Sequence, residues 1–167
     1  EKLKSAGAYV TAEIAGQPIC ILQDNNDTLR GFYNVCKHRA MQLLQGDGQK
    51  NRIMCPYHGW TYDLDGKLLA SPATEHLEDF DPGSICLDQI QVESFCGFIF
   101  ANLDPDAASL SSQAGDLEDE IEFWAPDIRE LTYSRRLNYS IRSNWKNVVD
   151  NFLECYHCPI AHRDFCT

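Results

Sequence analysis

Cys36-Lys37-His38 and, after a spacer, Cys55-Pro56-Tyr57-His58 are the residues around which the chain is organised. Each half supplies one thiolate and one imidazole. Two Cys on one iron and two His on the other is a ligand set for a [2Fe–2S] cluster. For the donors to meet, the two halves must converge, and two β-hairpin tips facing each other achieve that. A zinc ion takes the same ligand types, but its usual order is two Cys and then two His, whereas here each pair is mixed. A Cys36–Cys55 disulfide leaves His38 and His58 without a role. Ligand identity and geometry decide the metal.

Outward from this motif, both pairs sit where strands give way to turns. Residues 9–14 alternate loosely, residues 18–22 form a short apolar run, and Asn25-Asn26-Asp27 is a turn signal. Residues 29–35 read as the strand that delivers Cys36 and His38. Gly46-Asp47-Gly48 reads as a loop, and Arg52-Ile53-Met54 leads into Cys55. Trp60-Thr61-Tyr62 is strand-like, and Asp65-Gly66 is a hairpin signal. Residues 71–84 read as an acidic loop, and residues 87–92 and 98–103 as strands. The run Phe95-Cys96-Gly97-Phe98-Ile99-Phe100 reads as core.

Residues 104–115, rich in Ser, Ala, Pro and Gly, read as a linker. Asp116 caps a short helix over residues 117–124, residues 133–141 alternate like a strand, and Asn144 caps a helix running from 145 to about 157. The fold class expected is α+β. A mainly antiparallel-β domain occupies residues 1–105, with its N-terminal edge incomplete. A linker at 106–115 joins it to the start of an α/β domain at 116–167.

Composition narrows the function. The chain has 167 residues, 44% of them hydrophobic, enough for one sizeable domain or two small ones. A formal net charge of −11 speaks against nucleic acid, whose binders carry a basic stripe, and suits a basic patch on an electron donor. No apolar run reaches membrane-spanning length, and no signal peptide is visible. Of eight cysteines, Cys36 and Cys55 belong to the motif. Cys20, Cys86, Cys96, Cys155, Cys158 and Cys166 read mostly as buried thiols in a reducing compartment, the cytoplasm. Of five histidines, His76, among Glu75, Glu78 and Asp79, reads as an ordinary surface residue.

The remaining two histidines mark a second site. In residues 144–162 Trp145, Val148, Val149, Phe152 and Tyr156 recur at helical spacing and form an apolar face. Asn147, Asp150, Asn151, Glu154 and His157 recur on another. On a continuous helix His157 and His162 point about 140° apart. Pro159 breaks or tightens the helix after His157, so that His162 can return to the same point. Two His and one carboxylate with open positions is the facial triad of non-haem Fe(II) oxygenases. A polar stripe is ordinarily a solvated face, and Cys155 with Cys158, His162 and Cys166 offers a zinc site or a redox pair as the competing reading.

CKHR followed by CPYHGWTYDLDGKL resembles the Rieske domain of the Rieske non-haem iron oxygenases, and DNFLECYHCPIAH resembles the mononuclear-iron motif of the same family's catalytic (alpha) subunits. The resemblance implies Cys36 and Cys55 on the inner iron of the cluster and His38 and His58 on the outer iron. It implies His157 and His162 as ligands of a mononuclear Fe(II). Glu154 matches the catalytic bridging carboxylate, which links the mononuclear iron's His to a Rieske His of a neighbouring subunit; a carboxylate accepting from an imidazole N–H fixes the ring. Asp150 and Asn151 are weaker candidates for lining the site. Ala40 stands where the family commonly has Gly, and Arg163 where it has Pro. The family's third iron ligand is a carboxylate far downstream, so the chain reads as an internal portion of a longer protein.

The function so implied is the terminal oxygenase component of a Rieske system. Electrons come from NAD(P)H through a flavin- or ferredoxin-type reductase, O2 and a small organic substrate are the reactants, and the assembly is a homo-oligomer such as a trimer. The phrase DNFLECYHCPIAH is similar to the branch acting on trimethylammonium compounds such as betaine, choline or carnitine. An aromatic-ring hydroxylating dioxygenase alpha subunit is the alternative. A Rieske ferredoxin-type electron carrier leaves His157, His162 and Glu154 unexplained, and a zinc-stabilised binding module predicts a protein without redox activity.

Overall fold

The computed structural model describes residues 3–135, 137–154 and 156–165. It divides into two units, Glu1–Tyr133 and Ser134–Thr167. The first is mostly antiparallel β. Its strands are β1 (Ala8–Ile14), β2 (Gln17–Gln23), β3 (Leu29–Tyr33), β4 (Asp47–Gln49), β5 (Ile53–Met54), β6 (Thr61–Tyr62), β7 (Leu68–Ala70), β8 (Gln89–Phe95) and β9 (Phe98–Asn102). The larger sheet runs β4-β1-β2-β3-β8-β9, and the smaller runs β5-β6-β7.

β2 explains why the larger sheet is buried on both faces. Side chains alternate along a strand. Ile19 and Ile21 therefore pack on one side with Leu3, Ala8 and Ile90. Cys20 and Leu22 pack on the other with Phe32, Tyr62, Leu68 and Trp60, beneath the ligand turns. Each such buried aliphatic side chain contributes about 2 kcal/mol, and a one-residue slip would exchange the two faces. β3 and β8 approach closely at Gly31, where a Cβ would lie 2.2 Å from Val92 Cγ2.

Two buried polar side chains hold the connections. Asp24, fully buried, closes the β2–β3 turn by accepting from the N–H groups of Asn26 (2.8 Å) and Thr28 (2.9 Å) and from Arg30 Nε (2.9 Å). Asn34, also fully buried, clamps the backbone of Leu44. Its Nδ2 donates to the Leu44 carbonyl at 2.8 Å, and its Oδ1 accepts from the Leu44 N–H at 2.9 Å. The strand expected at 29–35 thus ends at Tyr33, and Val35 makes an isolated bridge to Gln42.

Several expectations are corrected. Gly46-Asp47-Gly48 is not all loop. Gly46 turns the chain at φ 67°, and Asp47–Gln49 then pairs with β1, Val10 opposite Asp47. The run from Phe95 to Phe100 is not uniformly core. Cys96 and Gly97, at φ 47° and 82°, form a tight hairpin turn. Phe95 and Cys96 are buried, whereas Phe98, on the edge strand β9, is 59% exposed. The stretch read as a linker contains α1 (Leu110–Ala114), and Gln91 Nε2 donates to the carbonyls of Pro105 and Ala107. α2 (Leu117–Trp124) falls where expected, with Asp116 at its N-cap, although the Asp116 side chain makes no capping bond.

The second unit holds α3 (Trp145–Leu153), α4 (Cys158–Ala161) and a 3-10 turn at Arg163–Phe165. Residues 133–141 alternate in hydrophobicity but join no ladder among the described residues, and a strand exists only where a neighbour takes its N–H and C=O groups. The apolar face of α3 is present but exposed, Trp145 at 69% and Phe152 at 86%. Among the described residues no helix is long and apolar enough to cross a membrane.

Candidate metal centres

Cys36 and Cys55 open two turns built alike. The Cys36 N–H donates to the Met41 carbonyl (2.8 Å) and the Ala40 N–H to the Cys36 carbonyl (2.9 Å). In the second turn the Cys55 N–H donates to the Trp60 carbonyl (2.7 Å) and the Gly59 N–H to the Cys55 carbonyl (3.1 Å). In each, the residue just before the closing carbonyl is left-handed, Ala40 at φ 53° and Gly59 at φ 72°. β5 and β6 frame the second turn, and the Val35–Gln42 bridge frames the first.

The turns bring the two imidazoles together and keep the two thiols out of solvent. The rings of His38 and His58 are 4.7 Å apart, edge to face, and both are exposed. The two Cys residues are buried, each only 3% exposed. The phenol of Tyr62, itself fully buried, reaches the Cys36 sulfur at 3.2 Å. Its oxygen accepts from the Lys37 N–H at 3.1 Å, which leaves the O–H for the sulfur. Burial first, then the contact with Cys36, pushes the Tyr62 phenol above its ordinary range. Partial desolvation, followed by the charges of His38 and Arg39, holds His58 below the usual imidazole value, favouring the neutral form that can ligate.

This donor set fits a two-iron cluster: buried thiols on the inner side, exposed imidazoles on the outer. A single ion needs three or four donors converging on one point, and among the described residues no three His, Cys, Asp or Glu side chains do so. Tyr62, Trp60 and Asn34 were not singled out as site residues from sequence. The signal for two of them was available: Trp60 and Tyr62 follow His58 at the spacing of two that puts both on one face of a strand.

The second site is built from a helix end. Asn144 caps α3, its side chain accepting from the Lys146 N–H at 3.0 Å. The helix expected to reach 157 stops at Leu153, and Glu154 is extended at φ −107°, ψ 138°. His157 then takes the N-cap position of α4, with Pro159 in its first turn. Pro159 therefore begins a helical turn rather than breaking one, a position where the missing N–H costs nothing. His162 ends that turn, its N–H donating to the Cys158 carbonyl at 2.9 Å.

His157 and His162 thus bracket one short helix, with ring centroids 5.3 Å apart. The Glu154 carboxylate engages His157 Nδ1 and accepts from the Tyr156 N–H. The His157 hydrogen bond, then that of Tyr156, holds the Glu154 carboxyl below its ordinary range. With Nδ1 engaged, Nε2 is the ring nitrogen left for a metal. The two histidines, Glu154, Asn151, Phe152 and Ile160 line an open cleft of about 820 Å³; Asp150 is not part of its lining. The arrangement fits two ligands of a two-His, one-carboxylate iron. The competing reading from Cys155 and Cys166 falls on residues outside those described.

Residues 1–81 match the family described as the Rieske [2Fe-2S] domain, and residues 128–167 the ring-hydroxylating alpha subunit catalytic domain. The carnitine monooxygenase oxygenase subunit of Escherichia coli (strain K12) is 42% identical over 165 residues, covering 98% of this chain and 44% of that protein. The glycine betaine monooxygenase oxygenase subunit of Chromohalobacter salexigens is 34% identical over 164 residues, 98% of this chain and 36% of that protein. The crystal structure of a quaternary ammonium Rieske monooxygenase in complex with L-carnitine superposes with a TM-score of 0.90 at 37% identity, over 99% of this chain and 47% of that one. The chain therefore spans less than half the length of these relatives.

Proposed function

We propose that this chain belongs to the Rieske oxygenases, and that the protein it forms part of is a terminal oxygenase component acting on a trimethylammonium compound. The observation that carries the proposal is the pairing of His157 and His162, rings 5.3 Å apart with Glu154 on the first, in the same chain as the four-donor turns. A ferredoxin-type carrier needs the turns but not this pair. When bound, the cluster supplies electrons singly and the mononuclear iron activates O2.

The chain's own residues do the rest. Buried Cys36 and Cys55 would hold one iron of the cluster, and exposed His38 and His58 the other. His157 and His162 offer two ligands and leave positions open, while Glu154 fixes the His157 ring. In the homotrimer that the family resemblance implies, Glu154 links this site to a Rieske imidazole of the neighbouring copy. The donor is a flavin- or ferredoxin-type reductase, and the acidic chain suits a basic patch upon it. Free thiols at Cys20, Cys86 and Cys96 support a reducing compartment, the cytoplasm.

Substrate class rests on the relatives, which are named for carnitine and glycine betaine. The test is metal and sulfide analysis of the full-length protein, followed by O2 uptake with its reductase on L-carnitine, glycine betaine, choline and an aromatic hydrocarbon. Two cluster irons, two sulfides, a third iron and uptake with a quaternary amine are expected. Uptake with the hydrocarbon alone would move the protein to the ring-hydroxylating branch, and a protein without the third iron to the electron carriers.

A further inference from the structure

Trp60 belongs to the second ligand turn, yet its ring lies against a residue of the first. Its carbonyl closes the Cys55 turn at 2.7 Å. Its indole stacks on His38, with centroids 4.9 Å apart and planes 9° from parallel. The indole is itself held in place: Trp60 is 8% exposed, and Phe80 from the acidic loop packs on it with centroids 5.9 Å apart. Phe80 is partly buried against the same core.

An imidazole on an exposed turn has a broad torsional minimum about its ring bond. A fixed, nearly parallel ring on one face narrows it. His58 has a different neighbour: Tyr57 lies against it at 3.8 Å and 32°, but Tyr57 is itself 58% exposed. The two imidazoles are thus unequally held, His38 by a buried ring and His58 by a solvated one. Tyr62, two residues beyond Trp60, grips the thiol end of the same first turn. Trp60, closing the second turn, and Tyr62, just after it, thus brace both ends of the first, at His38 and at Cys36.

We propose that Trp60, backed by Phe80, is a positioning residue that sets the ring plane of His38 and so the geometry of one outer ligand of the cluster. This rests on reading Cys36, His38, Cys55 and His58 as the cluster ligands. Trp60 touches no reacting atom. It acts through the imidazole, whose orientation decides its overlap with the metal and the direction of its other N–H.

The experiment uses the full-length holoenzyme with Trp60→Leu, Trp60→Phe and Phe80→Leu. Leu68→Ala, in the same core at 4% exposure, is the control for a purely structural effect. Trp60→Leu is expected to keep the wild-type iron and sulfide content, to show shifted and broadened g values in the reduced EPR spectrum, and to lose turnover roughly tenfold. Trp60→Phe restores the line shape. Phe80→Leu shifts the spectrum less and in the same direction, while Leu68→Ala lowers stability and leaves the g values alone. A fully loaded Trp60→Leu protein with the wild-type spectrum overturns the proposal. If Trp60→Leu does not accumulate, an unaltered spectrum in loaded Phe80→Leu overturns it. Absence of sulfide from the wild-type protein overturns the cluster reading itself, and this inference with it.

Discussion

The phenol oxygen of Tyr62 lies 3.2 Å from the sulfur of Cys36 and accepts the Lys37 N–H from the other side. With its oxygen so engaged, the phenol directs its O–H at the sulfur. A hydrogen bond to a cluster sulfur stabilises the added electron and raises the potential. Tyr62→Phe keeps the ring and removes the donor. A differential of about 1 kcal/mol corresponds to roughly 40 mV for a one-electron couple. The expected outcome is a fall of that order by redox titration, with iron and sulfide content unchanged. A potential at the wild-type value would show that the O–H does not reach the sulfur.

Asp24 makes folding depend on acidity. Burial alone would raise its carboxyl, but the hydrogen bonds from Thr28, Arg30 and Asn26 and the Arg30 charge outweigh burial and hold it below its ordinary value. A depressed folded-state pKa stabilises the protein above the unfolded value of about 4. That contribution disappears as pH falls through the lower folded value. Asp24→Asn is expected to cost about 1–3 kcal/mol at neutral pH. Denaturant midpoints measured downward from pH 6 should converge for the wild type and the variant below pH ~4; parallel curves would refute the linkage.

Ala40 occupies a glycine position. Its φ of 53° matches the 72° of Gly59 in the equivalent turn. An L-residue there costs about 1–2 kcal/mol, against about 0.5–1 kcal/mol of extra unfolded-state entropy for Gly. Ala40→Gly should therefore stabilise the protein by about 0.5–1 kcal/mol, read as a higher denaturation midpoint with the cluster content unaltered.

Asn34 lies two residues before Cys36 and satisfies both backbone groups of Leu44 with no solvent to replace it. Asn34→Leu strands the buried Leu44 N–H, at a cost of about 1–3 kcal/mol, while the Leu44 carbonyl keeps Gln42 Nε2 at 3.1 Å. The expected result is a loss of about 2 kcal/mol in chemical denaturation, together with faster loss of cluster iron to a chelator. Asn34→Asp retains the acceptor but not the donor, and should fall between the two.

These four residues also mark where the sequence is legible and where it is not. The candidate ligands of both sites and the strands around them are marked by local features: residue type, spacing, turn signals. β2 covers the apolar run at residues 18–22 and α2 the helix expected at 117–124, and the His157–His162 pair does meet. What local reading lacks is the partner. Asn34 looks like a turn former, and its clamp on Leu44 exists only once the strands are paired. Residues 133–141 carry a strand pattern with no neighbour to pair with among the described residues. Pro159 reads as a helix breaker because its place in the first turn of α4 depends on where the preceding helix stops, and that stop at Leu153 has no glycine or proline to announce it.

Glu154 offers the sharpest division between binding and transfer. Its carboxylate engages His157 Nδ1 with one oxygen and the Tyr156 N–H with the other, so it fixes the ring of a candidate metal ligand and leaves Nε2 free of that contact. Glu154→Gln keeps the shape and one acceptor oxygen but removes the charge; Glu154→Ala removes both. If the residue serves only to hold the ring, Gln should perform nearly as well as Glu. If the charge couples the imidazole to a partner across a subunit boundary, both variants should lose turnover about 10–100-fold while retaining cluster and mononuclear iron. Rapid-mixing reduction of the cluster by the reductase should then be unchanged, and single-turnover oxidation of the reduced cluster in the presence of substrate should be slow. Full turnover in Glu154→Ala would remove Glu154 from the transfer path, and loss of the mononuclear iron in Glu154→Gln would make it a structural support for His157 instead.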